Sequence, residues 1–334
     1  MYIDTHLDTV WHTTVSGRKF HVFEGENKKR EKISFGIGTL LDKYGHVDLP
    51  RGREGELVIG FFTGFPSSNQ YTTEKMVKDW ILFMDNPQNQ LVRIKTKYEL
   101  ITFIDEWKKS QPNKRKIGSV FALEGAAGID SELNRLYLLY DIGLRSISLT
   151  WNEQNQFATG VLGDKNRGLT REGKDLIFIV EDLGIIIDIS HLNDKSFWDV
   201  LSTSNSPIIA SHSNYRGLAN HPRNLTKEMI EAVKDTNGSI GLNLHSGFLS
   251  PNKPKKATID TAVEMLRAMI EIAGTDHVHI GSDFDGSEPP QGIEDVSKIP
   301  TFFKLAKEKI GLSNYELEKI QYKNILRIIN DVWK

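Results

Sequence analysis

Cysteine is absent from this 334-residue chain, which excludes disulfides, thiolate catalysis and cysteine-ligated zinc or iron–sulfur sites. Any metal site must therefore be built from imidazole and carboxylate ligands. An excess of basic charge is also absent, since 42 Lys and Arg residues face 44 Asp and Glu residues for a net charge of -2. Binding of a phosphate backbone requires such an excess, so we expect no nucleic-acid partner.

Long hydrophobic runs are missing as well. No apolar run approaches the roughly 18 residues of a membrane-spanning helix, so we expect no membrane partner. The first six residues, Met1 to His6, are too acidic and too polar for a signal peptide, and we expect a cytoplasmic protein. The chain is 39% hydrophobic and 26% charged, a balance typical of a globular protein with a sizeable core.

Eight apolar runs of strand length recur along the chain, separated by segments with helical periodicity. They cover residues 1–5, 56–63, 119–123, 145–150, 185–189, 207–210, 239–244 and 277–281. This alternation predicts an α/β fold, a single (β/α)8 barrel of the TIM type over residues 1–334. A doubly wound sheet is the alternative, because closure of a barrel cannot be read from sequence.

Two connections in this pattern are long, 8–53 after the first strand and 64–118 after the second. We expect these insertions to lie over one mouth of the barrel as candidate lids, with a pair of helices in the second. Candidate helix ends elsewhere are Thr72 or Thr73, Thr226 and Gly274.

Polar and ionisable residues follow the C-terminal end of nearly every predicted strand, the face where barrel enzymes hold their active sites. His6 and Asp8 are two apart on extended chain, so both side chains point the same way and can reach one cation. Glu124 ends an apolar strand, and its two oxygens can bridge two metal ions. His191 and His212 end consecutive strands in the same Ser-His pair, and neutral imidazole is the commonest metal ligand. Together these residues predict a metal site.

Four further residues lie near the same strand ends. Asp283 is placed to act as a proton shuttle, whereas Asp285 is expected to be a turn residue that caps backbone amides. Arg223, in the loop after the sixth strand, is either a surface arginine or, beside a metal site, the ligand of a substrate carboxylate. His245 is expected to be a core histidine.

These residues resemble the membrane (renal) dipeptidase family of zinc peptidases, in particular its bacterial members. The resemblance spans nearly the whole chain, and its motifs are specific only in combination. They are Asp4-Thr5-His6-Leu7-Asp8, Val47-Asp48-Leu49-Pro50, Ala122-Leu123-Glu124-Gly125, Gly168-Leu169-Thr170, Asp188-Ile189-Ser190-His191, Ser211-His212-Ser213, Pro222-Arg223-Asn224 and the segment 281–286. The family fold is a (β/α)8 barrel, and the family commonly forms homodimers.

The resemblance also implies roles for single residues. Two Zn²⁺ ions per chain would be held by five ligands, which are His6, Asp8, Glu124, His191 and His212. Glu124 would bridge the two ions, Asp283 would move the proton as a catalytic residue, and Arg223 would bind the C-terminal carboxylate of a dipeptide. The expected reaction is hydrolysis of dipeptides, including those with a D-residue at the C-terminal side, by a metal-bridged hydroxide.

The fourth strand end departs from the family pattern. Family members usually carry His there, whereas this chain has Trp151 followed by Asn152, which we expect to contact substrate. Indole donates one hydrogen bond but takes up no proton, and the change would lower the rate by about 10²-fold. Two alternatives to a zinc dipeptidase remain. One is a related binuclear N-acyl amino acid deacylase, and the other, because of Trp151, is a metal-binding homologue of low activity.

Overall fold

Eight parallel strands close into a ring at the centre of the molecule. The computed structural model describes residues 1–20, 32–34, 40–42, 44–65, 70–130 and 132–334. The strands are β1 (Tyr2–Leu7), β2 (Lys32–Ser34), β3 (Leu40–Asp42), β4 (Leu57–Gly64), β5 (Leu91–Arg93), β6 (Ile117–Glu124), β7 (Leu144–Ser148), β8 (Ile186–Asp188), β9 (Ile209–Ala210), β10 (Ser239–Leu242) and β11 (Val278–Ile280). Around the ring the order is β1, β4, β6, β7, β8, β9, β10 and β11, and β11 pairs again with β1. The predicted (β/α)8 barrel is confirmed, and the doubly wound alternative is wrong.

Helices follow the barrel strands and cover the outside of the ring. They are α1 (Thr9–Ser16), α2 (Leu49–Glu54), α3 (Gln70–Asp85), α4 (Lys97–Lys109), α5 (Asn134–Ile142), α6 (Arg171–Leu183), α7 (Asp194–Thr203), α8 (Lys227–Asp235), α9 (Ser246–Leu249), α10 (Ile259–Ala273), α11 (Ile299–Ile310), α12 (Asn314–Glu318) and α13 (Asn324–Val332). Every residue of β1, β4 and β6 is buried, as expected for strands with side chains inside the ring and helices outside it.

The core of the barrel is apolar near the beginnings of its strands. Ile3 of β1 belongs to one buried cluster with Ile186 of β8 and Ile209 of β9. The apolar side of α13, which carries Ile325 and Ile328 at helical spacing, joins the same cluster. Apolar packing therefore holds the ring together at one end, and the polar strand ends gather at the other.

The helix ends agree with the sequence pattern in two cases and differ in one. Thr226 caps α8 by accepting a hydrogen bond from the N–H of Met229, and Gly274 ends α10 with φ at 80°. The predicted cap at Thr72 or Thr73 is wrong, because α3 already begins at Gln70, before its apolar stripe starts.

The two insertions contain additional strands that the sequence did not predict. β2 and β3 form a separate antiparallel pair in the first insertion, of which residues 21–31 and 35–39 lie outside the described part. The second insertion holds the expected helix pair, α3 and α4, with β5 between them on the flank of β6. Three-residue strands carry too little periodicity to be recognised from sequence.

A buried ion pair links the chain after β1 to the chain after β11. The Asp285 carboxylate accepts hydrogen bonds from Arg18 Nη2 at 2.6 Å, from Thr9 Oγ1 at 2.7 Å and from the backbone N–H of His46. Burial raises the pKa of Asp285, but Arg18, His12 and His46 together outweigh burial and hold this pKa below its usual value. The sequence predicted a turn residue that caps backbone amides, whereas the amide bonded to Asp285 belongs to His46 on a distant segment, and Asp285 also carries this ion pair.

Replacing Asp285 with Ala should lower the free energy of unfolding by about 3–5 kcal/mol, because the Arg18 charge would remain buried without its partner. Urea denaturation measures this loss. The matched control is Asp182→Ala, which removes an exposed carboxylate paired with Lys334 and should change the same free energy by less than about 1 kcal/mol. Equal losses for the two variants would contradict the structural role of the buried pair.

Candidate metal centre and active site

The C-terminal ends of the barrel strands bring the five predicted metal ligands together around one carboxylate. Glu124 Oε1 lies 2.8 Å from His191 Nε2 and 3.7 Å from the Nε2 atoms of His6 and His212. The Nε2 atom of His6 is also 3.5 Å from Asp8 Oδ2. All five side chains are buried, and they come from strands spread around the whole ring.

Two overlapping groups of His, Asp and Glu side chains have ligand atoms close enough to hold a metal ion. One consists of His6, Glu124 and His212, and the other of His6, Asp8 and Asp283, with ligand atoms within 4.8 Å of one another in each. The second group contains the predicted proton shuttle, Asp283, and the predicted ligand His191 belongs to neither group. The buried atoms His6 Nε2 and Asp8 Oδ1 have no hydrogen-bond partner in the described structure. Leaving such atoms unsatisfied costs about 1–3 kcal/mol each, and a coordinated cation removes that cost. The donor set therefore fits a metal ion bound by imidazole and carboxylate.

A hydrogen-bonded chain of side chains orients His212. Asp188 Oδ1 accepts the backbone N–H groups of Ser190 and Ser211, and its other oxygen accepts the Ser211 hydroxyl. The Ser211 oxygen lies 2.7 Å from Nδ1 of His212 and, having given its own proton to Asp188, accepts the N–H there. This bond leaves the lone pair of Nε2 turned towards Glu124, which is the tautomer that a metal ligand needs.

Asn152 performs the same task for His191. Its carboxamide Oδ1 lies 2.8 Å from His191 Nδ1 and accepts the proton there, so that Nε2 faces Glu124. Asn152 lies in the wall of the cavity where the sequence placed a substrate contact, and in this structure its hydrogen bond goes to a candidate ligand. It therefore acts as a positioning residue for the imidazole.

Two of the seven described non-glycine residues with positive φ belong to this cluster. His191 and Asp283 both have positive φ, at 71° and 62°, although neither is glycine. Their backbones are held by Val161, whose N–H donates to the carbonyl of His191, and by His6, whose carbonyl accepts the N–H of Asp283. Strain of this kind costs about 1–3 kcal/mol per residue and is typical of functional sites.

Asp283 and Asp8 enclose the far side of the cluster. The side-chain amide of Asn243 donates to Asp283 Oδ2 at 3.1 Å, which fixes this carboxyl group with Oδ1 towards Gly286. A Cβ atom on Gly286 would lie 1.9 Å from Asp8 Oδ2 and 2.7 Å from Asp283 Oδ1. Only glycine allows the backbone to approach both carboxylates this closely.

Arg223 is a buried cation beside the cluster. Its Nη2 atom donates to the carbonyl of His212 at 3.3 Å, and its guanidinium lies 5.4 Å from the centre of the Phe248 ring. Nε of Arg223 is buried without a hydrogen-bond partner. Burial lowers the pKa of Arg223 to about 10, so the group remains charged at neutral pH. A buried guanidinium with an unfilled donor is suited to an anionic ligand.

A cavity of about 360 Å³ at the mouth of the barrel is lined by Asp8, Glu124, His191, Arg223 and Asp283, but not by His6 or His212. This volume is near the lower end of small-molecule sites, so the cavity fits a small substrate. Further lining residues are Trp11, Phe65, Trp151, Asn152, Val161, Leu162, His221, Pro222, His245, Phe248, Gly286 and Ser287. His245 was expected in the core, and that expectation is wrong, because its partly exposed ring faces the cavity from the segment after β10.

Sequence reasoning missed several of these lining residues. Phe65 directly follows β4, so the rule that strand ends face the mouth would have found it had aromatic residues been included. Trp11 lies inside α1 and Phe248 inside α9, where no sequence signal separates cavity residues from core residues. Asp188 was recognised as part of a motif, but its hydrogen bond to Ser211 was not.

The acidic cluster keeps protons when no metal is bound. Burial lowers the pKa of His6, but Glu124 and Asp8 outweigh burial and raise this pKa to about 10. Burial raises the pKa of Asp283 to about 7 and that of Glu124 well above its usual value. Burial lowers the pKa of His191 and of His212, so both rings stay neutral and able to coordinate. Metal binding must therefore release protons from this cluster.

The metal-free protein should lose stability as the pH rises from 7.5 to 9. An unfolded histidine is neutral in this range, whereas folded His6 keeps its proton, so the folded state binds more protons and the free energy of unfolding falls. The expected slope from His6 is about 1.4 kcal/mol per pH unit. His46 and His279, whose pKa values burial lowers to about 3, are neutral in both states here and contribute nothing.

Urea titrations of the metal-free protein at several pH values measure this slope. The variant His6→Gln should remove the His6 contribution, whereas His279→Gln should keep it. An identical slope in wild type and His6→Gln would contradict the assignment of the proton to His6.

The barrel and its strand-end cluster define a class of protein, the metal-dependent hydrolases that activate water at the mouth of a (β/α)8 barrel. The sequence profile of the membrane dipeptidase family, peptidase family M19, matches residues 1–334. An uncharacterised dipeptidase of Schizosaccharomyces pombe is 31% identical over 302 residues, covering 86% of this chain and 72% of its own length. The chain belongs to the membrane dipeptidase family and is a metallopeptidase of that family.

Two solved structures share the fold. One is a dipeptidase of the M19 metallopeptidases, 26% identical, with a TM-score of 0.83 over 99% of this chain and 98% of that one. The other is a metallopeptidase of Rhodobacter sphaeroides bound to a phosphinate mimic of the dipeptide L-Ala-D-Ala, 25% identical, with a TM-score of 0.83 over 99% of both chains. In the part of this chain that the structure describes, none of the helices has the length and apolar character needed to cross a membrane.

Proposed function

We propose that this protein is a binuclear zinc dipeptidase. His6 and Asp8 would hold one Zn²⁺, His191 and His212 the other, and Glu124 would bridge both ions. The observation that carries this proposal is the position of the Glu124 carboxylate, within 3.7 Å of all three histidine Nε2 atoms. Imidazole and carboxylate are the zinc ligands available to a chain without cysteine.

The cavity residues divide the work of hydrolysis between them. When bound, the two ions supply a water that ionises near neutral pH, and they polarise the scissile carbonyl. Asp283, fixed by Asn243, takes the proton from that water and passes it to the leaving amine. In the metal-free protein, burial raises the pKa of Asp283 to about 7.

Arg223 sets the length of the substrate. Two parallel hydrogen bonds from its guanidinium hold the C-terminal carboxylate, so the attacked bond must lie one residue away. Dipeptides satisfy this spacing, and longer peptides do not. The L-Ala-D-Ala mimic bound by the Rhodobacter sphaeroides metallopeptidase supports acceptance of a D-residue at the C-terminal side by this chain as well.

Metal analysis followed by a dipeptide panel tests the proposal. Protein purified without added metal should bind two equivalents of zinc and then hydrolyse both L,L and L,D dipeptides. The same panel should include N-acyl amino acids, because selective cleavage of these would favour the deacylase instead. Inactivity of the zinc-loaded protein on every dipeptide would refute the proposed function.

Trp151 supports a second candidate, a metal-binding homologue of low activity. Indole occupies the cavity wall where the family usually has imidazole, and its ring centre lies 6.4 Å from that of His191. This candidate predicts that Trp151→His raises kcat on dipeptides by about 10²-fold, since an oxyanion donor would be restored. Steady-state kinetics of the zinc-loaded variant decide the question. No gain in an already active enzyme would exclude the low-activity candidate.

The homodimer and the cytoplasmic location stay predictions. Light scattering of the purified protein tests the first, and fractionation of the source cells tests the second.

A further inference from the structure

Three aromatic side chains form a continuous surface along one side of the cavity. The Trp11 and Phe65 rings meet edge to face with centres 5.6 Å apart, and the Phe65 and Trp151 rings do so at 5.1 Å. All three residues line the cavity and are partly exposed to it. We call these three residues the aromatic wall. Partly exposed aromatic rings in contact with one another are available to cover an apolar ligand group.

The aromatic wall lies across the barrel mouth from Arg223. Trp11, Phe65 and Trp151 follow β1, β4 and β7, whereas Arg223 follows β9 and its neighbour Phe248 follows β10. In the ring order, β9 lies directly opposite β4, and β4 is followed by Phe65, the middle residue of the aromatic wall. A substrate whose carboxylate is held at Arg223 therefore directs its other end towards the aromatic wall.

The side of the cavity formed by the wall offers little charge to a ligand. Apart from the candidate metal ligands Asp8 and Glu124, the described lining residues there are uncharged. They are Trp11, Phe65, Trp151, Asn152, Val161 and Leu162. A ligand group placed against this surface is stabilised by apolar contact rather than by an ion pair.

The backbone of Trp151 is closely packed against neighbouring segments. A Cβ atom on Gly125 would lie 3.1 Å from the backbone nitrogen of Trp151, and one on Gly160 would lie 2.2 Å from the carbonyl oxygen of Trp151. The loop after Trp151 is further held by Leu162, whose N–H donates to the carbonyl of Asn152 at 2.7 Å. Trp151 is thus part of a preorganised surface, which loses little conformational entropy when a ligand binds.

We propose that Trp11, Phe65 and Trp151 are specificity-determining residues that select dipeptides with a large apolar side chain on the amino-terminal residue. The proposal rests on the proposed dipeptidase function, because Arg223 must hold the carboxyl end for the amino end to reach the aromatic wall. It assigns to Trp151 a use in substrate selection that an imidazole at this position would serve less well.

Kinetics of the zinc-loaded enzyme on matched dipeptides test the proposal. Wild type should prefer Phe-Ala and Leu-Ala to Gly-Ala by about 10-fold or more in kcat/KM. Trp151→Ala should reduce that preference by about 10-fold, mainly through KM, and Trp151→Phe should retain most of it. Preference between Ala-Gly and Ala-Phe, which differ at the carboxyl end, should be the same in all three proteins. The matched control Trp198→Ala, which removes an exposed tryptophan of α7, should behave as wild type.

The proposal is overturned if Trp151→Ala lowers kcat/KM for Gly-Ala and Phe-Ala by the same factor. Failure of the proposed dipeptidase function gives a different result, namely no turnover of any dipeptide by metal-loaded wild type. In that case calorimetry with phosphinate mimics of Gly-Ala and Phe-Ala measures whether the aromatic wall binds an apolar side chain. Tighter binding of the Phe mimic, lost in Trp151→Ala, supports the aromatic wall, and equal binding of the two mimics overturns it.

Discussion

Glu124→Gln should abolish dipeptide hydrolysis, lowering kcat/KM by about 10³-fold or more. Gln preserves the shape and volume of the side chain but removes the charge that we place between the two metal ions. His6, His191 and His212 all have Nε2 atoms within 3.7 Å of the Glu124 carboxylate, so its charge faces all three imidazole ligands. Bound zinc, measured by atomic absorption, should fall below two equivalents in the same variant.

The metal-free Glu124→Gln variant should still unfold cooperatively, because Gln preserves the shape and volume of the buried side chain. Thermal unfolding without metal checks this and separates a lost ligand from a lost fold. Glu231→Gln, on the exposed side of α8, is the control and should keep full activity and full zinc content. Full activity in Glu124→Gln would refute the bridging role.

Arg223→Met should lower kcat/KM on dipeptides by about 10²-fold, mostly through KM, because the substrate carboxylate would lose its charged partner. Removing one member of a buried, hydrogen-bonded charge pair typically costs 2–5 kcal/mol of binding, and 2.7 kcal/mol corresponds to a 10²-fold loss. Methionine retains the aliphatic part of the side chain but removes the guanidinium that lies over the Phe248 ring. Steady-state kinetics on Ala-Ala measure the loss.

A dipeptide amide tests whether Arg223 acts through the substrate carboxylate. Its C-terminus carries no charge, so wild type and Arg223→Met should cleave it equally poorly. Arg171→Met, at the exposed start of α6, should leave both substrates unaffected. If Arg223→Met reduced activity on the dipeptide and on its amide by the same factor, the arginine would be supporting the fold rather than binding the carboxylate.

Much of the barrel could be predicted from the sequence because each strand and helix carries a local signal. All eight barrel strands appear where apolar runs of strand length occur, with boundaries that differ by a few residues. β5 and the β2–β3 pair were not predictable, since three-residue strands depend on partners distant in sequence. Closure of the ring, through pairing of β4 with β6, is also a tertiary event that leaves no local pattern.

The candidate site also has features that were predictable from local sequence and features that were not. His6, Asp8, Glu124, His191 and His212 were predictable because strand ends in a barrel converge on one face. The bonds that orient these ligands were not. The Asn152 bond to His191 and the Asp188–Ser211–His212 chain join residues whose relation depends on strand register and loop conformation. The aromatic wall likewise joins a helix and two loops that follow three different strands.

The pairing of β1 with β11 places His6 beside Asp283, with the N–H of Asp283 bonded to the carbonyl of His6. His6 and Asp8 thus lie at the first barrel strand, whereas Asp283 follows the last one. The ring cannot close before β11 is made, and contacts between such distant parts of a chain form slowly. During synthesis, His6 and Asp8 can therefore meet Glu124, His191 and His212 in an open sheet, but they lack Asp283 until the final strand has been made.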